Sequence, residues 1–598
     1  MLMVALRRQF KGEGMSLQKA GRVMTVAMSS LVATIAAAVL VAPAAASSAT
    51  SWHYLVVEVD RSGRLEPVYH ERVRLAAPRA SLSEAQAAAA RDRLGPLQRS
   101  VAVELRAGEE VVFRDLVPFE RFVHVEFADG EGLVRADFEL SQAAAVIRVP
   151  ALDGTTLVLN HGAASLELED IDLLAAGFRL AGELPPRTVA SVGVTGSPAN
   201  RVDLLIMGDG YTAAQQATFA SNAASVDASF FSITPYGEYH NFVNVATLFT
   251  ASTQPGADHP PYLASCSGDN PSCCSDPTAQ SDPLAGSYRA TAFDGRYCAF
   301  MIHRLLVVDT SKVLAAAAAV PDWDKIFVLV NDTTYGGAGG FLSVSSMNGS
   351  AVDVIRHEYG HSFSQLADEY DSPYPGFPVC SDVSGPACEA NVTDQTVRAA
   401  VKWTSWILPT TPVPTPEGSI YSGQLGLFEG ARYRTTGMYR PRESQCLMLG
   451  LGLPFCSICA QAYVKTLYDG GWGVPASGID PIEPGSENPP PGTVQVNGSR
   501  TFTVGLLTPV GGPPSTVVWR VNGSVQAGQT APSFNFVPSQ SGTYTIEVTV
   551  TDGTPLVNPA MAGSSMSSSR QWTAQATVAP NSIFLDGFES GSLSAWTH

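Results

Sequence analysis

Apolar and polar positions alternate along this chain with two distinct periods. Near its start, Tyr54-Leu-Val-Val-Glu-Val59, Glu110-Val-Val-Phe113 and Phe122-Val-His-Val-Glu-Phe127 repeat every second residue and are separated by turn residues. That period predicts strands, here an N-terminal β-sandwich over 51–184, with one exposed alanine-rich helix over 81–93. Past Pro185-Pro186 the pattern changes. Val202-Asp-Leu-Leu-Ile-Met207 and Ile326-Phe-Val-Leu-Val330 read as buried strands, and the first leads through Gly208-Asp-Gly210 into a helix over 212–231. Val352, Ile355, Tyr359, Phe363 and Leu366 then recur at helical spacing. Strand, turn and helix in this order predict an α/β domain over 187–474. A Pro-, Gly- and Ser-rich stretch at 475–491 reads as a semi-rigid linker. Beyond it Thr501-Phe-Thr-Val504, Thr516-Val-Val-Trp-Arg-Val521 and Thr543-Tyr-Thr-Ile-Glu-Val-Thr-Val-Thr551, with Asn522-Gly523 as a turn, predict an Ig-like β-sandwich over 492–578. A tail, 579–598, closes the chain.

The apolar helix stripe carries a chemical pattern, Arg356-His-Glu-Tyr-Gly-His-Ser-Phe-Ser-Gln-Leu-Ala-Asp-Glu-Tyr370. His357 and His361 stand one helical turn apart, so both imidazoles can grip one zinc ion. Glu358 between them can act as general base towards a water that the ion activates, which is chemistry for hydrolysing peptide bonds. Gly208-Asp-Gly210 lacks the lysine and spacing of a phosphate loop and reads as a tight turn.

The helix string, Leu329-Val-Asn-Asp-Thr-Thr-Tyr-Gly-Gly-Ala-Gly-Gly340 before it, Asp203-Leu-Leu-Ile-Met-Gly-Asp-Gly-Tyr211, Tyr439-Arg-Pro441 and Phe455-Cys-Ser-Ile-Cys459 together resemble the IgA-peptidase-like family of secreted bacterial zinc metallopeptidases, in the zincin group. The resemblance covers about the middle half of the chain. It implies a zincin-like α/β catalytic domain flanked by the two β-sandwiches, the second of which resembles the PKD modules of exported bacterial enzymes. By the same resemblance Asp368 is the first choice for the third zinc ligand, with Glu369 or a distant glutamate such as Glu429 as alternatives. On a straight helix Asp368 would lie about 10 Å further along the axis than His361, so the helix must bend or end soon after His361 and fold back. The resemblance also places Met448 as an apolar floor beneath the ion and makes Tyr439 and Arg440 candidate donors to the oxyanion. It makes strand 326–330, with the glycine run after it, the cleft rim whose free edge takes substrate as an added strand.

Composition agrees with this picture. A chain of 598 residues is too long for one core, and 45% apolar against 15% charged residues indicates globular domains. A net charge of −18 offers no footprint for nucleic acid. Lys19 and Arg22, the apolar run 24–41 and Pro43-Ala-Ala-Ala46 read as a secretory signal over 1–46, leaving no stable membrane insertion after cleavage. The nine cysteines, at 266, 273, 274, 298, 380, 388, 446, 456 and 459, then predict structural disulfides, Cys456-Ser-Ile-Cys459 included, and the odd number leaves at least one thiol over. Asp269, Asp276 and Asp282, in a Cys-, Pro- and Asp-rich loop, are candidate ligands for a structural calcium ion without EF-hand spacing. The expected activity is zinc metalloendopeptidase action on an extended peptide of an extracellular protein. Alternatives are an adhesin-like binding protein with an incidental zinc site and a zinc hydrolase of non-peptide substrates.

Overall fold

Strand Val202–Asp209 sends Leu204 and Ile206 to one side of a six-stranded sheet and Leu205 and Met207 to the other, and all four are buried. The computed structural model describes residues 51–578 except 93, 95–97, 130–131, 183, 374–376, 386 and 471–477. The expected signal (1–46) and the C-terminal tail (579–598) lie outside the described residues. Across the sheet the order is Arg187–Gly193, Val243–Thr250, Val202–Asp209, Lys325–Val330, Ser343–Ser346 and Gly337–Ala338. The four inner strands run parallel and the two outer ones antiparallel. Helices Gln216–Phe230, Ala351–Ser362 and Ser457–Asp469 cover the Leu204 side through Phe219, Phe230, Ile355, Tyr359 and Tyr463. Parallel strands need both faces covered, which is why these runs are apolar throughout.

The second face is closed by helix Thr310–Ala317 and by the N-terminal strands. These strands form a three-stranded sheet (Leu65–Arg74, Ser51–Asp60, Gln142–Pro150) and a four-stranded one (Glu110–Glu120, Gln98–Ala107, Thr156–His161, Ala164–Leu168). Val56, Val103 and Leu159 belong to the same buried cluster as Val328 and Val344. Tyr54 ties the two regions: its hydroxyl donates to Leu314 O (2.7 Å) and accepts from Trp323 Nε1 (3.1 Å). The helix Glu84–Asp92 buries none of its residues.

On the three-stranded sheet, His53 Nδ1 meets His70 Nε2 at 2.9 Å. Burial first, then the neighbouring His53, pushes His70 down to about 4, against the opposing charges of Asp172 and Glu71 and with that of Arg72. An unfolded histidine titrates near 6.5, so the unfolded state binds the extra proton between these values. The stability from a neutral His70 is therefore complete above about pH 6.5 and is lost as pH falls towards 4. Urea midpoints measured from pH 7 to pH 4 are expected to fall less steeply for His70→Gln than for the wild type; parallel curves would contradict this.

At the C-terminal end a five-stranded and a two-stranded sheet enclose Phe502, Trp519, Phe534 and Trp572. Asn522 and Gly523, at φ 50° and 80°, make the turn their sequence announces. Described residues of the stretch read as a linker are pinned down. Ile479 and Ile482 are buried, Asp480 exchanges hydrogen bonds with Asn200, and Glu483 pairs with Arg201. Composition marked the loop, but two buried isoleucines and an ion pair decide its state.

Disulfides join Cys266 to Cys273, Cys274 to Cys298 and Cys380 to Cys388. Contrary to expectation, Cys456 and Cys459 are not joined, and with Cys446 they remain buried thiols. The three loop carboxylates are not gathered for calcium either. Asp269 pairs with Arg296, Asp276 caps Thr278, and Asp282 takes His259 and His303.

Candidate metal centre

Helix Ala351–Ser362 presents His357 and His361 on one face, with their Nε2 atoms 2.9 Å apart. Each ring is oriented from behind. His357 Nδ1 donates to Leu447 O (3.0 Å) and His361 Nδ1 to Leu366 O (2.7 Å). With Nδ1 holding the proton, Nε2 keeps its lone pair for a ligand.

The helix stops one residue after His361. Gln365 adopts φ 51°, Gln365 N–H returns to His361 O and Leu366 N–H to Gly360 O, so the chain doubles back. A left-handed conformation is usually given to glycine, and here glutamine takes it at a cost of about 1 kcal/mol. The reversal delivers Asp368, whose Oδ1 lies 3.2 Å from His357 Nε2 and 3.4 Å from His361 Nε2. Burial opposes ionisation of Asp368, but where His361 and His357 carry a second proton, their charge and hydrogen bonds outweigh it and hold the carboxyl well below the usual range. Its other oxygen accepts a hydrogen bond from Tyr433 (2.7 Å). Two imidazole lone pairs and a carboxylate oxygen converging at this spacing need a positive charge among them. The donor set fits a divalent transition metal.

Glu358 is 1% exposed and is not one of the three converging groups. Its carboxylate lies against Gly339, where an added Cβ would stand 1.5 Å from Oε2. The glycine is thus the notch that receives this carboxylate. Gly339→Ala is expected to lower kcat about 100-fold with metal content unchanged, the effect of misplacing a reacting group by about 1 Å. Steady-state kinetics beside metal analysis would check this, and near-normal kcat would refute it.

Of the other sequence candidates, Met448 is fully buried and its sulfur packs on Gly360, where a Cβ would come within 2.8 Å. Glu369 faces away from the histidines, towards Cys459 at 3.1 Å. Glu429 contacts Gly437 N and Tyr439 OH. Tyr439 exchanges backbone hydrogen bonds with Thr393. The described bonds of Arg440 go to Glu417 and to the carbonyls of Glu429, Gly430, Arg442 and Glu443. Tyr433 was missed: an isolated tyrosine 65 residues beyond Asp368 carries no sequence signal.

Strand Lys325–Val330 is bonded on both sides, so it has no edge to offer a substrate. The sheet edge on this side is instead Gly337–Ala338, inside the glycine run; Arg187–Gly193 forms the other edge. There the backbone N–H and C=O of Gly337 are taken by Arg304 O and Leu306 N. Gly340, at φ 130°, lies where a Cβ would be 2.7 Å from Phe122 O, so the N-terminal part reaches this rim. The periodicity found the strand, but only pairing across the sheet shows which strand is outermost.

Residues 191–265 and 271–420 match the family model of IgA Peptidase M64. The matched segment belongs to the IgA peptidase M64 family. It contains both histidines, Glu358 and Asp368, and it stops before Tyr433, Met448 and the three thiols. No curated protein matches the chain. The match supports metallopeptidase activity, which implies a peptide or protein as substrate.

Proposed function

We propose that the chain is a secreted, zinc-dependent metalloendopeptidase of the zincin type, with His357, His361 and Asp368 as ligands and Glu358 as general base. The observation that carries this reading is the convergence of two Nε2 atoms and Asp368 Oδ1 beside a carboxylate held in its own notch. Bound zinc would supply a Lewis acid that lowers the pKa of water and polarises the scissile carbonyl. Glu358 takes the proton that the attacking water loses and passes it to the leaving amine. Leu447 O and Leu366 O hold the imidazoles, and Tyr433 holds Asp368, so little reorganisation is needed during turnover. Export is supported by the signal-like segment 1–46 and by three disulfides. The C-terminal sandwich is a PKD-like module acting as a spacer.

The test is casein cleavage by the purified chain before and after removal of its metal with a chelator. Cleavage should disappear and return on adding zinc. Cleavage that survives complete metal removal would sink the reading. Metal bound without cleavage of any protein would favour the adhesin-like alternative.

A further inference from the structure

One residue beyond Asp368 the chain enters a different cluster. Glu369 is fully buried, as are the thiols of Cys446, Cys456 and Cys459, each no more than 2% exposed. Cys459 Sγ lies 3.5 Å from Cys446 Sγ and 3.6 Å from Cys456 Sγ. Glu369 Oε1 lies 3.1 Å from Cys459 Sγ and 3.9 Å from Cys456 Sγ. All four ligand atoms fall within 4.8 Å of one another.

These separations discriminate between chemistries. A disulfide needs its sulfurs about 2.05 Å apart, well short of either sulfur pair. In a tetrahedron with zinc–sulfur bonds of about 2.3 Å, two sulfurs stand about 3.8 Å apart. The two sulfur pairs lie close to that edge. Pairing by oxidation would also leave one of three buried thiols stranded, whereas three thiolates and a carboxylate complete a four-coordinate shell.

The surroundings favour an ion too. Cys456 is the N-cap of helix Ser457–Asp469, and the positive end of that helix suits a thiolate there. Asn391 Nδ2 donates to Glu369 Oε1 (3.0 Å), while Glu369 Oε2, buried, has no hydrogen-bond partner among the described residues. Three of the four residues lie beyond the M64 match, which ends at 420.

We propose that Glu369, Cys446, Cys456 and Cys459 bind a structural metal ion of their own, zinc being the chemical match to three thiolates and a carboxylate. Its place in the chain gives it a second role. Glu369 follows Asp368, and Glu369 N–H bonds Met448 O (2.8 Å). Cys446 precedes Leu447, whose carbonyl orients His357. The ion would therefore clamp the segments that hold two residues of the first centre.

The test uses the full chain with His361→Ala, which disables the first centre and leaves the thiols untouched. This variant, reconstituted with zinc, is expected to retain one ion per chain by elemental analysis. Reconstituted with cobalt, it should show thiolate-to-cobalt charge-transfer absorption. Adding Cys459→Ser should abolish both signals. A His361→Ala chain that holds no ion would overturn the proposal, and so would a Cys456–Cys459 disulfide in peptide maps of unreduced protein. The readout is metal content, so failure of the peptidase reading would leave the result standing.

Discussion

Glu358→Gln is expected to lower kcat/KM for a peptide substrate by about 10² to 10⁴, the range for loss of a general acid–base group. Metal content should stay at the wild-type level, because Glu358 is outside the converging trio. Glutamine nearly preserves the shape of the side chain in the Gly339 notch, so packing is disturbed little while the basic oxygen is lost. Activity on a quenched fluorescent peptide, measured beside elemental analysis, separates the two effects. Glu358→Gln activity within a few-fold of wild type would remove Glu358 from the reaction. Loss of metal would instead make it a ligand.

Asp368→Ala is expected to empty the first centre altogether. Asp368 supplies the anionic donor of the trio, and its removal leaves two neutral imidazoles, too few for a stable site. Tyr433→Phe is the graded companion. It deletes the hydrogen bond to Asp368 Oδ2, and losses of such supporting partners weaken metal binding about 10- to 100-fold. Competition against a chelator of known affinity would rank wild type, Tyr433→Phe and Asp368→Ala in that order. Equal affinity of wild type and Asp368→Ala would transfer the third ligand to another residue.

The legible parts of this molecule are those built from local periodicity. His357, Glu358 and His361 are set by the pitch of one helix, and that helix could be recognised from its own apolar stripe. The strands Val202–Asp209 and Lys325–Val330 were equally plain, because a strand covered on both faces has to be apolar at every position. The fold-back after His361 followed from reach alone, but nothing in the string marked Gln365 as the left-handed residue that makes it. The choice between Asp368 and Glu369 was a different kind of question. Adjacent carboxylates look alike in a string, and what separates them is the opposite directions their side chains take, one to two imidazoles and the other to three sulfurs.

By itself, then, the sequence determined the helix, its pair of histidines, its intervening glutamate and the alternation of strands around them, since each rests on interactions between residues a few positions apart. Only the tertiary structure decided that Gly339 is the seat of Glu358 and that Tyr433 braces Asp368. It alone identified Gly337–Ala338 as the sheet edge beyond Ser343–Ser346, and it alone gathered Cys446, Cys456 and Cys459 around Glu369. Those relations join segments about 20 to 90 residues apart. No periodicity encodes them, because they exist only once the sheet, the reversed helix end and the packed loops fix those segments in space.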